Sequence, residues 1–147
     1  MYSDDTKFDT YWNARLDRRG IVAANDASTK TKALVEATQL INNLNFEGEK
    51  LVSTQDDEFP RLGATDVPQA IEDAANEMAY HILDGRDVEF ELENLETSGL
   101  GVQSMRKTSR QKFISDAKAH GIPSEKAWRY LKPFLRDGQT FKMNRIS

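Results

Sequence analysis

DVPQAIEDAANEMAYHIL, residues 66–83, contains a helix in outline. Asp66 stands where an N-cap belongs, Pro68 sits near the first helical position, and Gln69 follows Asp66 by three residues, the spacing of a capping box. Ile71, Ala75, Met78 and Ile82 recur at helical spacing, while Glu72, Asp73, Asn76 and Glu77 fall on the other side and Gly85 closes the segment. This predicts a third helix in a chain whose first two helices lie upstream.

In the first of these, Ser3 is the expected N-cap and Asp4 and Asp5 lie in the first turn. Phe8, Tyr11, Trp12 and Leu16 form the stripe, and Arg15, Arg18 and Arg19 precede Gly20. Acids at the start, bases at the end and a glycine after it suit the helix dipole and its termination. Asp26 or Ser28 caps the second, on which Leu34, Ala37, Thr38, Ile41 and Leu44 share one face up to about Asn45. Between Phe46 and Thr65 no period persists, and Gly48, Pro60 and Gly63 interrupt any regular element. That segment, which includes QDDEFPR at 55–61, reads as a long loop, and long loops in compact domains tend to be functional.

Downstream, Val88, Phe90 and Leu92 alternate with Glu89, Glu91 and Glu93, the period of a strand with one acidic face, with a short helix as the alternative. After Gly99 and Gly101 the basic stretch SMRKTSRQKFI suits half of an exposed hairpin. Ser124 caps a last helix with Trp128, Leu131 and Leu135, which Pro133 should kink or end near Lys132. RDGQTFKMNRIS, residues 136–147, reads as an extended tail. The expected fold is mainly α: a bundle of about four helices (1–135) with a long loop, a small β-hairpin or extended segment, and the tail (136–147).

The chain has 147 residues and a mean hydropathy of -0.68, which fits one domain with a modest core. No apolar run approaches the roughly 20 residues of a membrane span, and there is no cysteine, so a reducing cytoplasmic setting is expected. The net charge of -4 conceals a split. Residues 1–102 hold 9 Lys/Arg against 21 Asp/Glu, a charge of -12, whereas residues 103–147 hold 11 against 3, a charge of +8. Such asymmetry fits either a basic arm for nucleic acid or complementary surfaces that meet between copies.

Signatures of catalysis are missing. The two histidines, His81 and His120, stand far apart, and neither GxSxG, a Walker-type loop nor GxGxxG occurs. Asp56, Asp57 and Glu58 are read as a solvated acidic loop rather than a cation site. No enzyme, cofactor or metal is expected. Arg106, Lys107, Arg110 and Lys112 with Phe113 would suit phosphates and a stacked base; the plainer reading is a solvated strand, or one that meets the acidic segment 89–96 of the same chain or a neighbour.

The order of segments is more specific than any one of them. YWNARL, the AT-x-x-I of Ala37, Thr38 and Ile41 followed by the F-x-G of Phe46 and Gly48, the Gln55-to-FPR loop, the VP start at 67–68 and LKPFL resemble the head-to-tail connector proteins of tailed bacteriophages. These are also called adaptor or head completion proteins, and some are labelled DnaT-like single-stranded DNA-binding proteins. The resemblance covers nearly the whole chain. It implies a structural virion protein of the neck, assembled in the host cytoplasm as a homo-oligomeric ring, commonly of twelve, beneath the portal. Double-stranded DNA would pass through the ring and a tail or nozzle protein would follow. It also implies that the C-terminal segment docks on the portal, which suits Arg136, Phe141, Lys142, Met143, Arg145 and Ile146. Subunit contacts are then expected at Asp56, Asp57, Glu58, Phe59, Arg61, Arg106, Lys107 and Arg110, with Arg61 and the acids facing a neighbour or the loop covering its own core. Glu89, Glu91 and Glu93 are the expected channel-facing acids. The alternative is a DNA-binding module built on 106–112.

Overall fold

The computed structural model describes residues 1–90 and 115–136. Among them the chain is helical and holds no strand: α1 (Asp5–Asn13), α2 (Ile21–Ala24), α3 (Ala27–Asn42), α4 (Gln69–Leu83), α5 (Asp116–Ala119) and α6 (Glu125–Leu131), followed by a 3-10 turn at Lys132–Phe134. The four longer helices, α1, α3, α4 and α6, are the bundle the periodicities predicted. The half-hairpin expected at 104–114 and the tail beyond Arg136 lie outside the described residues.

Helix α4 is the centre, packing against α1, α2, α3 and α6. Its apolar stripe works as read, with Ile71, Ala75 and Met78 fully buried. The α3 stripe is also inside, Leu34, Ala37 and Ile41 at 0% exposure, and Ala127, Trp128 and Leu131 of α6 close the far side. Each large aliphatic or aromatic side chain so buried contributes about 1.5–3 kcal/mol relative to exposure, enough to make helix packing the main stabilising term.

Several local expectations are corrected. Asp66 does not cap α4: Pro68 is the N-cap, its carbonyl accepts from the Ile71 and Glu72 amides, and the Asp66 carboxylate accepts from the Thr65 hydroxyl at 3.4 Å. Ser3 does not cap α1 either. Asp4 does, accepting from the Lys7 amide at 2.8 Å, and Ser3 turns inward. Helix α1 stops at Asn13 rather than running to Arg19, because the Asp17 carboxylate takes the Ile21 and Val22 amides at 2.9 Å each and opens α2. Leu16 is consequently 75% exposed. Of the two readings of the segment from Val88, strand or short helix, the described residues 88–90 follow the helical one, and Asp87 Oδ1 accepts the Glu89 amide at 3.0 Å and the Phe90 amide at 3.3 Å.

The most informative correction concerns Asn76 and Glu77, expected to face away yet 2% and 4% exposed. Helices α1 and α6 cover the polar side of α4 as α3 covers its apolar side. Ser124 caps α6 as predicted, accepting from the Ala127 amide at 3.1 Å, and Pro133 ends it in the 3-10 turn.

Candidate interaction surface

A polar group buried beside α4 has to find partners inside the chain. Ser3 Oγ donates to Asn76 Oδ1 at 2.6 Å, and Trp12 Nε1 donates to the Asn76 carbonyl at 3.4 Å. The Tyr11 hydroxyl donates to Glu77 Oε1 at 2.6 Å, and Lys126 from α6 reaches the same oxygen at 2.8 Å. Burial, then the Glu77 carboxylate and the neighbouring Tyr130, push the Tyr11 phenol far above its usual range, so it stays a donor. This network ties α1 and α6 to α4.

The long loop is built by the residues that made it look irregular. Gln55 bridges it from within: its Nε2 donates to the Asp57 and Pro60 carbonyls at 2.8 and 3.1 Å, and its Oε1 accepts from the Val52 amide at 3.1 Å. Phe59 precedes a cis peptide to Pro60 and is 5% exposed. Its ring meets Phe46, Tyr2 and Phe134 edge-on, at centroid separations of 4.7, 6.0 and 5.6 Å.

The sequence reading left two orientations for Arg61, toward a neighbour or over the chain's own core. The structure turns it inward at 8% exposure. Its Nε donates to the Glu47 carbonyl at 3.1 Å, Nη1 to the Glu58 carbonyl at 3.3 Å and to the Glu58 carboxylate, and Nη2 to the Phe46 carbonyl at 3.3 Å and the Gly48 carbonyl. A planar fork with five N–H donors suits four carbonyls and one carboxylate converging from a single loop. Glu58 also meets Lys50 at 3.2 Å.

Asp57 accepts from the Met1 ammonium at 2.6 Å and from the Asn42 amide at 2.9 Å. Burial pushes its carboxyl up, but these partners outweigh burial and hold it below the usual carboxylate range. The Tyr2 hydroxyl donates to Asn42 Oδ1 and accepts from the Glu58 and Phe59 amides at 2.9 and 3.2 Å. Burial drives that phenol far above its ordinary value. Of the three consecutive acids at 56–58, Asp56 is exposed while Asp57 and Glu58 are half-buried.

Arg136, the first residue of the expected tail, donates its amide to the Asn45 carbonyl at 3.1 Å. Leu135 bridges Phe46 in antiparallel fashion, and Glu47 donates to the Phe134 carbonyl at 2.9 Å. The chain therefore leaves the described body at the loop's edge. Glu89 is exposed and lines a groove of about 470 Å³ together with Leu40, Ile82, Arg86 and Val88. Glu91, Glu93, Arg106, Lys107, Arg110, Phe141, Lys142, Met143, Arg145 and Ile146 lie outside the described residues. Among the described residues no cluster of His, Asp and Glu is arranged to hold a metal, and no helix is long and apolar enough to cross a membrane.

A family model described as "Putative DnaT-like ssDNA binding protein" matches residues 2–144. The chain belongs to this family. The match spans the DnaT-like chain almost end to end, so it takes in α1 to α6, the Arg61 loop and the basic stretch SMRKTSRQKFI, and it stops short of Arg145. No curated protein and no solved structure matches the chain.

Tyr2, Asn42, Asn76, Glu77 and Lys126 hold this DnaT-like fold together; periodicity passes over Tyr2, Asn42 and Lys126 and turns Asn76 and Glu77 outward. A signal was present: Tyr11 and Trp12 sit on a core stripe with polar tips, and a buried tyrosine hydroxyl or indole N–H requires a partner somewhere on the facing helix.

Proposed function

We propose that this chain is a structural virion protein, a head-to-tail connector whose copies close a ring beneath the portal and link it to a tail or nozzle protein. It would assemble in the host cytoplasm and reside in the virion neck, with double-stranded DNA passing through the ring. It performs no covalent chemistry and works by presenting surfaces.

One observation carries the reading: the described residues offer the wrong surface for a bound nucleic acid, and the charge split along the sequence suits a ring subunit. Residues 1–90 hold 9 Lys/Arg against 18 Asp/Glu, a field that repels phosphates. Of the described aromatics, Tyr2, Phe8, Tyr11, Trp12, Phe46, Phe59, Tyr80 and Trp128 are buried, and Phe90 alone stands exposed, so no row of rings is offered for base stacking. A ring requires two unlike faces joined head to tail, and an acidic body with a basic C-terminal third supplies them. Electron micrographs of the chain mixed with portal should show a ring, of about twelve copies on the connector resemblance, seated on the portal. A chain that stays single beside intact portal would end the proposal.

The family's description favours a second reading, in which Arg106, Lys107, Arg110 and Lys112 bind single-stranded DNA. Four phosphate contacts would make log affinity fall with log salt at a slope of about -3, from about -0.7 per contact on single strands. A flat dependence, or no binding at moderate salt, removes it.

A further inference from the structure

The pairing that hides Arg61 also exposes its neighbours. Lys50 and Arg61 form an antiparallel bridge, with Leu51 N–H on the Pro60 carbonyl at 3.0 Å and Leu62 N–H on the Glu49 carbonyl at 3.1 Å. Lys50 is half-buried and Arg61 buried, and the residues that follow them, Leu51 and Leu62, lie on the outside. They are 43% and 69% exposed, and Val52 beside them is 52% exposed. Leu62 holds a φ of 57°, in the left-handed region that aliphatic residues avoid, and its side chain lies on Gly48, where a Cβ would collide with it. An opening of about 200 Å³ adjoins Leu62, lined by Phe59, Ala64, Pro68, Pro133 and Phe134. Glu47, Glu49 and Asp56 are the exposed acids of the same loop.

This apolar face with an acidic border begins where the described chain ends. Phe134 lines the opening, and Arg136 is bonded to Asn45 at its edge. The eleven residues that follow, DGQTFKMNRIS, place Phe141, Met143 and Ile146 among Lys142 and Arg145. Apolar side chains interleaved with bases complement apolar side chains bordered by acids. Eleven extended residues span about 36 Å, sufficient to reach an adjoining molecule.

We propose that residues 137–147 of a second copy of the chain dock on the Leu51–Leu62 face, with their apolar side chains against the two leucines and Lys142 and Arg145 toward Glu47 and Glu49. This rests on the ring reading above and gives it a contact. Each copy then offers one face and one segment, a heterologous arrangement that a rotation closes into a ring. The connector resemblance would instead send the segment to the portal, and the two destinations are separable.

A photo-crosslinking benzoylphenylalanine replaces Leu62 in the full chain, and ¹⁴N- and ¹⁵N-labelled copies are mixed with and without portal. Mass spectrometry should find mixed-isotope cross-links between position 62 and residues 137–147. Leu62→Asp should lower the assembled fraction at least tenfold in sedimentation while leaving the circular dichroism spectrum unchanged. Cross-links within one isotope only, cross-links to portal, or none in either mixture would overturn the proposal. Rings seen in micrographs without the mixed cross-link would overturn this contact and leave the connector reading standing. Cross-links without rings would do the reverse.

Discussion

Arg61→Ala tests whether the loop between α3 and α4 is held from inside. The guanidinium serves the carbonyls of Phe46, Glu47, Gly48 and Glu58 and the Glu58 carboxylate. Summing five charged hydrogen bonds would overstate the loss, because most of these acceptors are only partly buried and can take water once the side chain is gone. The Phe46 carbonyl is buried and would be left unsatisfied, at a cost of about 1–3 kcal/mol. Glu58 keeps Lys50 as a partner, so that ion pair adds roughly 1 kcal/mol or less. The expected destabilisation is about 1–4 kcal/mol, a sizeable part of a typical total of about 5–15 kcal/mol but short of unfolding most domains. With a urea slope of about 2 kcal/mol per molar, the midpoint should fall by roughly 0.5–2 M at unchanged slope. Arg61→Lys keeps the charge but has no planar fork and should recover less than half of the loss. Trypsin should also cut faster after Lys50, which bridges Arg61 across the loop. A midpoint shift equivalent to less than about 0.5 kcal/mol, or full recovery by lysine, would refute the claim that guanidinium geometry shapes the loop.

Tyr11→Phe removes the donor to buried Glu77 and should cost about 1–2 kcal/mol, seen as a drop of about 3–6 °C in thermal melting, whereas Lys126→Met at the exposed end of the same network should cost less. Gly48→Ala meets both a φ of 80° and the Leu62 side chain, so urea denaturation should register a loss of about 1–2 kcal/mol; an unchanged midpoint would mean that the loop relaxes around the new methyl. Burial, with Arg86 and Arg19 nearby, lowers the His81 pKa, and Glu77 and Asp84 oppose that only in part. The unfolded chain therefore binds this proton more readily than the folded one, so the stability His81 contributes is complete above its unfolded value near 6.5 and is lost as pH falls toward the depressed folded value. Replacing it with glutamine should flatten the stability curve on the acid side of the ordinary histidine value, and an unchanged curve would place the titration elsewhere.

The helices themselves were legible because their signals are local. The face of Leu34, Ala37 and Ile41, the Ser124 cap and the Pro133 stop depend on hydrogen bonds and sterics within a few residues, and α3 and α6 form where those residues require. The irregular segment 46–65 was equally legible as a loop, since glycine and proline exclude regular structure whatever surrounds them. Which side of α4 meets water was not legible. Periodicity sorts the residues of one helix relative to each other, but Asn76 and Glu77 are inside because α1 and α6 cover a side that the pattern leaves polar. Asp4 took the α1 cap in place of Ser3, and Asp17 accepts amides of the next turn where a longer α1 was expected, because Ser3 and Asp17 have partners 73 and 63 residues away in Asn76 and Tyr80. Arg61 gives the same result in the loop: its neighbours in sequence say that it is charged, and only four carbonyls brought together by the fold draw it inside. Composition and order determine which elements this chain can form, and the covering of each element by the others decides which of its polar groups remain free to meet another molecule.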